Sequence, residues 1–469
     1  MKTPTHVLGL TLVVALGGLL FGYDTAVISG ATEALQFYFQ LTPAQLGFAA
    51  SSALIGCVFG ALLAGMLSSR YGRRGALIIA AILFLVSAIG SAVAGSDWSF
   101  VIYRIIGGLG VGIASMVSPM YIAEIAPPGK RGGLVACNQF AIIFGMLVVY
   151  FVNYGIALLG PDSWLNQVGW RYMFGSEIIP AGLFLGLLFI VPETPRWLAL
   201  QHRDQQAQAL LNRLNSPEQA KQQWTEIQNS MQQSQGSIVA QGLIGLLVIG
   251  ILLSVFQQIT GINVFLYYAP VILKGFSHSS IDVALLQTVL VGAVNLSFTV
   301  IAILTVDKFG RRPLMMVGAA VMAVSIIVIG TAAYLNAIGG YLLIFVLSYI
   351  AAFALSLGPV TWVLLAEIFP NNVRSKALSI AVFAQWLANF AVSQTFPMMN
   401  AKSSWIYQAF NGGFPFWLYG VMGLFTVFFI YKWVPETKGR SLEQLESLWH
   451  KKSTRESESS HASHHSHAL

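Results

Sequence analysis

Charge is scarce in this chain. Only 9% of its 469 residues are Asp, Glu, Lys or Arg, against roughly 25% in an ordinary soluble domain. That deficit excludes a water-soluble globule of the usual kind and places the protein in lipid. Cysteine is nearly absent too. Cys57 and Cys137 are the only two, both lie in apolar segments, and no disulfide or metal site is read from them. No nucleotide-binding motif and no catalytic constellation occurs, so the chain is not read as an enzyme. The N-terminal run is not read as a cleavable leader: the apolar stretch from Val7 to Gly30 is long enough to span and lacks a clear small-residue cleavage site. Apolar residues are what abound. They make up 56% of the sequence, and 45 glycines accompany them, which suits close helix–helix approach in a bilayer. Mean hydropathy is +0.70.

A helix needs about 20 apolar residues to cross a membrane. Twelve runs qualify: 7–30, 46–68, 75–94, 99–121, 133–158, 171–191, 240–272, 281–304, 314–334, 340–366, 376–399 and 413–433. With both termini on one side, 21 of the 25 Lys and Arg fall in loops or ends on that side. Arg171, Lys274 and Lys402 fall opposite, and Arg104 falls inside a span. The positive-inside rule then puts both termini in the cytoplasm. An odd count would scatter the positive charges over both faces.

The scarce charges are duplicated. Arg70-Tyr71-Gly72-Arg73-Arg74 recurs as Lys308-Phe309-Gly310-Arg311-Arg312, 238 positions later. Glu124 with Arg131 recurs as Glu367 with Arg374, and Pro192-Glu193-Thr194 recurs as Pro435-Glu436-Thr437, each 243 positions on. Two equivalent halves in one membrane chain describe a transporter built from parallel repeats. Arg73, Glu124, Arg131 and Glu193 stand at cytoplasmic helix ends of the first half, and Arg311, Glu367, Arg374 and Glu436 in the second. Such charges can lock that side in one conformation and separate in another. An exposed pair contributes only about 0–1 kcal/mol, so a network is required. The plainer reading is positive charge that sets topology. Glu124 and Glu367 favour the network, since acidic residues contribute little to topology.

Residues 192–239 break the apolar pattern. Their spacing of Leu and Ile predicts one or two short amphipathic helices on the cytoplasmic surface. The expected division is 1–191 for the first six-helix bundle, 192–239 for the linker, 240–434 for the second bundle and 435–469 for a cytoplasmic tail. In that tail Ser441-Leu442-Glu443-Gln444 resembles a capped helix start. The histidines near its end read as a solvated low-complexity stretch rather than a metal site.

Ionisable groups inside a span cost about 2.5–3.5 kcal/mol at the helix centre and mark pathways by default. Asp24 follows Phe21-Gly22-Tyr23 in the first span. Arg104 precedes Gly107-Gly108-Leu109-Gly110 in the fourth, and Glu177 lies in the sixth. Burial favours a protonated carboxyl, whereas a neighbouring guanidinium favours the carboxylate. A site where these influences compete can release a proton when geometry changes. The membrane potential adds about 2.3 kcal/mol per charge per 100 mV to drive such a cycle. The rival reading is a static pair that holds the first and fourth helices together.

The spans also carry uncharged amides: Asn138, Gln139, Gln257, Gln258, Asn263, Asn295, Gln385 and Asn389. Trp362 and Trp386 accompany them. Amides both donate and accept hydrogen bonds, as hydroxyls do, and tryptophan faces suit the C–H face of a pyranose. Gly261 can loosen its helix and expose backbone beside Asn263. Interhelical hydrogen bonding explains any single amide equally well. Many amides with few charges favour a neutral polyhydroxyl ligand over an amino acid or an anion.

The motifs quoted above, with Pro192-Glu193-Thr194-Pro195-Arg196-Trp197, Gln257-Gln258-Ile259-Thr260-Gly261-Ile262-Asn263 and Pro435-Glu436-Thr437-Lys438-Gly439, resemble the sugar porter family of the major facilitator superfamily. The resemblance runs from about Leu8 to Leu448. Phe21 to Gly30, Asn138 to Gly145 and Ala384 to Asn389 are most similar to bacterial proton-coupled xylose symporters. It implies an all-α membrane fold of twelve helices in two six-helix bundles, a central site and alternating access. Gln139, Gln257, Gln258, Asn263, Asn295 and Trp362 would touch the sugar, with Gln385 and Trp386 lining the same cavity. Asp24 would be the proton site with Arg104 beside it, and Glu177 a second acidic group. Ser69 departs from the Asp of many members, while Asp307 keeps it. Met146 stands where similar xylose symporters carry glutamine, seven residues after Gln139, so two helical turns place both near one face. Xylose remains the first choice, and glucose or another aldose stays open. The expected partners are a monosaccharide (D-xylose or D-glucose), a proton and the lipid bilayer of a bacterial inner membrane, with no cofactor, no nucleic acid and a monomeric working unit. A facilitative uniporter is the chief alternative. A sugar sensor is disfavoured by the short tail.

Overall fold

The computed structural model describes residues 5–127, 130–232, 243–277, 280–369 and 373–437. Every regular element among them is a helix. The expected helix start at Ser441 and the histidines of the tail lie outside the described residues. Ten helical stretches are long and apolar enough to cross a bilayer. One of them, Pro43–Val93, has 51 residues. Straight, it would measure about 75 Å, over twice the hydrocarbon thickness. Gly72 folds it back with φ +86° and ψ 168°, a backbone state that glycine enters without steric cost. The sixth expected span forms as two short pieces, Trp170–Gly175 and Ile178–Leu188, preceded by Asp162–Trp164 and a π-helical Leu165–Gly169. No piece is long enough to qualify alone. With the hairpin and this broken helix counted, twelve spans form, as the apolar runs predict.

The remaining spans follow in order. Thr5–Ala26 continued by Ile28–Phe39 is the first, Asp97–Ile125 the fourth and Arg131–Ala157 the fifth. The seventh is Ile244–Ile259 with Ile262–Ser277, parted by Gly261 at φ +91°. That is the loosening the sequence predicts. Ile281–Phe309 and Arg311–Tyr334 are the eighth and ninth, parted by Gly310 at φ +87°. Gly72 and Gly310 therefore repeat one backbone turn at equivalent places of the duplication. Leu342–Leu355 and Leu357–Ile368 form the tenth, Arg374–Asn400 the eleventh and Phe414–Trp433 the twelfth. Even numbering leaves residues 5 and 437 on one side, the terminal face; the other is the far face.

Spans two and four pack through small residues. A Cβ on Gly108 would overlap the carbonyl oxygen of Ala53, and one on Gly112 that of Cys57. Gly56 and Gly60 meet the carbonyls of Ile105 and Leu109 in the same way. Without side chains between them the two backbones touch, which is how membrane helices gain dispersion energy when lipid offers no hydrophobic drive.

Among the described residues three helices, rather than one or two, follow the first half: Pro195–Leu200, Asp204–Leu214 and Pro217–Gln232. Thr194 caps the first through Trp197 N, His202 breaks after it at φ +58°, and Pro217 forces a fresh start. Leu198, Ala199 and Ala207 form a small core under Trp197 and Trp224. Trp197 Nε1 donates to the Ser69 carbonyl at 2.9 Å and Gln223 Nε2 to that of Ala126 at 3.0 Å. The unit is thereby tied to the first half.

Candidate functional site

Asp24 and Arg104 meet in the interior of the first half, 0% and 1% exposed. Arg104 Nη1 donates to Asp24 Oδ1 at 2.7 Å, and Nη2 to the Asp24 backbone carbonyl at 2.8 Å. Glycine makes room for them: a Cβ on Gly107 would stand 3.0 Å from Asp24 Oδ1 and overlap Ser87 Oγ. The guanidinium also lies 5.5 Å from the Phe174 ring centre. Glu177, 1% exposed, lies within electrostatic range of Asp24 and Arg104. Asp24 Oδ2, Arg104 Nε and Glu177 Oε1 have no hydrogen-bond partner among the described residues. The three groups expected from the sequence are therefore one cluster, contributed by spans one, four and six. Removing one partner of a buried ion pair costs about 3–5 kcal/mol. A proton moving onto a free carboxyl oxygen alters the pairing without removing either side chain.

The amides of the second half form a chain. Gln257 Nε2 donates to the carbonyls of Leu357 (2.8 Å) and Gly358 (3.1 Å), in the first turn after the tenth span breaks at Ser356. Gln258 Nε2 donates to Gln257 Oε1 at 3.3 Å, and Asn263 Nδ2 to Gln258 Oε1. Asn295, Gln385 and Trp386 are buried with Asn295 Oδ1, Gln385 Oε1 and Trp386 Nε1 unsatisfied among the described residues. Two acceptors and a donor left open in the interior are what a bound hydroxyl compound would satisfy. Trp386 lies 5.7 Å from the Phe21 ring, across the two halves. Gln139 and Trp362 are half-buried, and Met146 is packed in the core. Asn389 joins Tyr267 and Ser393 rather than the chain of amides.

On the terminal face the duplicated motifs fold into matching seats. Arg73 grips Glu124 through Nε at 3.0 Å and Nη2 at 2.8 Å. Glu193 accepts from the backbone N–H groups of Arg73, Arg74 and Thr194, Arg73 N and Thr194 N each at 2.9 Å. In the second half Arg311 Nη2 reaches Glu367 at 2.8 Å, and Glu436 accepts from Arg311 N and Arg312 N, both at 3.1 Å. Thr437 Oγ1 adds a bond to Glu367 at 2.6 Å. Each of these bonds stays within one half. Burial pushes the Glu193 carboxyl above its ordinary range, against the lowering effect of the Thr194, Arg74 and Arg73 N–H groups. Arg131 is exposed and stands apart from the Arg73–Glu124 pair; the Arg374 side chain lies outside the description.

The halves meet at their far ends. Ser51 Oγ donates to Gln394 Oε1 at 3.2 Å, and Gln394 Nε2 to the Ala44 carbonyl at 2.9 Å. Tyr150 OH donates to the Leu266 carbonyl at 2.9 Å, and Lys274 Nζ pairs with Glu33 Oε2 at 2.7 Å. These contacts escape sequence reasoning. Lys274 stands out only as a cation on the sparsely charged side, and nothing local points from it to a glutamate 241 positions away. Gln394 carries the signal that marks its neighbours Gln385 and Asn389, an uncharged amide in an apolar helix.

Two duplicated helical halves, with an ion pair buried in the first and a chain of amides buried in the second, define a multi-pass membrane transporter of the major facilitator type. The chain belongs to the family described as "Sugar (and other) transporter", which matches residues 10–449. It is 53% identical to the D-xylose-proton symporter of Escherichia coli strain K12 over 95% of this chain and 96% of that one. It is 41% identical to the arabinose-proton symporter of Bacillus subtilis, covering 95% and 97%. The glucose facilitated diffusion protein of Zymomonas mobilis is 38% identical, covering 94% and 97%. A partially occluded inward-open structure of the E. coli xylose transporter superposes with TM-score 0.85 at 51% identity, covering 93% of this chain and all of that one.

Proposed function

We propose that the protein is a proton-coupled importer of a monosaccharide, with D-xylose the first choice, in a bacterial inner membrane with both termini cytoplasmic. The observation that carries the coupling is the buried Asp24–Arg104 pair with Glu177 beside it and a free oxygen on each carboxyl. In this reading a proton entering at Asp24 neutralises the carboxylate and weakens its hold on Arg104, and the bundles rock while Asp24 carries that proton. Gln139, Gln257, Gln258, Asn263, Asn295, Gln385 and Trp386 hold the sugar hydroxyls, and Trp362 offers its face. Each hydroxyl bond contributes about 0.5–1.5 kcal/mol net, enough together for binding that still permits release. The likeness to two proton symporters of pentoses supports this reading. The glucose facilitator among the relatives favours a second one, a uniporter that equilibrates its sugar.

Proteoliposome uptake of labelled xylose and glucose, with and without an imposed pH gradient, separates the two. Concentration of sugar above equilibrium, dependent on the gradient, is expected. Asp24→Asn should abolish accumulation and leave exchange partly intact. Full accumulation in that variant refutes the assignment of the proton site.

A further inference from the structure

On the far face a cavity of about 570 Å³ opens between the bundles. That volume lies in the range of small-molecule sites, roughly 300–1,000 Å³. The first half contributes Gln36, Phe37 and Asn166 to its wall; the second contributes Tyr268, Phe396 and Asn400. Tyr268 and Phe396 are buried and 5.3 Å apart between ring centres. The acid in the wall, Glu33, is already neutralised by Lys274 at 2.7 Å. Amides beside aromatic rings, with the local charge paired, select a neutral ligand that both donates and accepts hydrogen bonds.

We infer that this cavity is a second sugar site, which takes a neutral monosaccharide while the far ends of the bundles are together. The identity of the ligand rests on the sugar reading above. Both halves line the cavity, so it keeps this shape only while those ends are joined. A ligand bound there has higher affinity for this state than for one in which the far ends part, and it shifts the population toward it. Sugar supplied to the far face at high concentration thus slows its own entry.

Ala401 also lines the cavity. An Ala401→Cys variant in the full chain, with Cys137→Ser to silence the half-buried native thiol, is labelled in nanodiscs by a charged maleimide. D-xylose should protect it with a half-effect in the millimolar range. Protection should persist when Gln257→Ala is added to disable the central site, and its half-effect should weaken about tenfold in Gln36→Ala or Asn400→Ala. Loss of protection in the Gln257→Ala background means that the label senses only the centre, and overturns the inference. Protection unchanged by both outer substitutions overturns it as well. Uptake gives an independent measurement: entry should fall at high outer xylose in the parent and not in Gln36→Ala, and equal curves count against the site. Failure of the central reading would look different, as high-affinity xylose binding that survives Gln257→Ala.

Discussion

Substituting Gly108 by alanine should loosen spans two and four and reach the ion pair one turn away. Ordinarily this change stabilises a helix by up to about 1 kcal/mol, because glycine has more freedom to lose. At Gly108 the new methyl would overlap the Ala53 carbonyl and come within 3.0 Å of the Gly56 Cα. Neither obstacle is a flexible side chain, so the helices must part. Overpacking of this kind costs about 1–3 kcal/mol. Parting also strips the contacts at Gly56, Gly60 and Gly112, which depend on the same approach. The net expectation is a loss of about 1–2 kcal/mol. Gly186, in the sixth span, meets nothing within 4 Å, and Gly186→Ala should be neutral or stabilising. Thermal unfolding in detergent, read by loss of the monodisperse peak, should order the variants Gly186→Ala, parent, Gly108→Ala. Because Arg104 rides on the same helix as Gly108, Gly108→Ala should also reduce gradient-driven accumulation more than exchange. A Gly108→Ala protein as stable as the parent refutes the close-contact account of this interface.

Other substitutions separate the remaining roles. Glu193→Ala leaves three backbone N–H groups without their acceptor and should lower the melting temperature clearly, since an unsatisfied buried group costs about 1–3 kcal/mol. Glu193→Gln keeps a carbonyl acceptor, and a carboxyl already lifted by burial gains little from its charge, so this variant should stay within about 1 kcal/mol of the parent; equal losses in both would contradict the seat. Glu33→Gln should change stability by less than about 1 kcal/mol, because that pair is over one-third exposed, while removing part of the salt dependence of the uptake rate; an unaltered salt profile counts against a bridging role. Met146→Gln should shift the apparent affinity for xylose in competition assays, and an unchanged value would show that this side chain does not reach the sugar.

Much of this architecture was legible because lipid imposes simple rules. Apolar length marks spans, and the few charges that remain must do something. Asp24, Arg104 and Glu177 announced themselves by being ionisable where ions are costly, and they come together in one cluster. The duplicated motifs were visible as repeats, and both copies fold around glycines of the same conformation. Less legible was anything set by contact across distance. The break of the tenth span at Ser356 has no proline or glycine at the break itself, and Gln257 reaches a carbonyl in the first turn after it from 100 positions away. The sixth span is interrupted at Ser176 and Glu177, a break that hydropathy does not register. The expected charge network named its members but not its pairs: Arg73 takes Glu124 from the neighbouring loop and leaves Arg131 at the surface. A bidentate fork held close by the Gly72 turn outcompetes a long side chain on a helix end.

The Glu193 and Glu436 seats have a mechanical consequence. Each fastens a two-helix elbow to the end of its own half, so each half is riveted internally and nothing in these seats needs to yield for the halves to pivot. What must yield is the small clasp at the opposite end: Ser51 with Gln394, Gln394 with Ala44, Tyr150 with Leu266, and Lys274 with Glu33. At about 0.5–1.5 kcal/mol apiece, unfastening it is within reach of thermal motion. The same sparing use of polar contacts that keeps the chain in lipid also sets how readily it turns over.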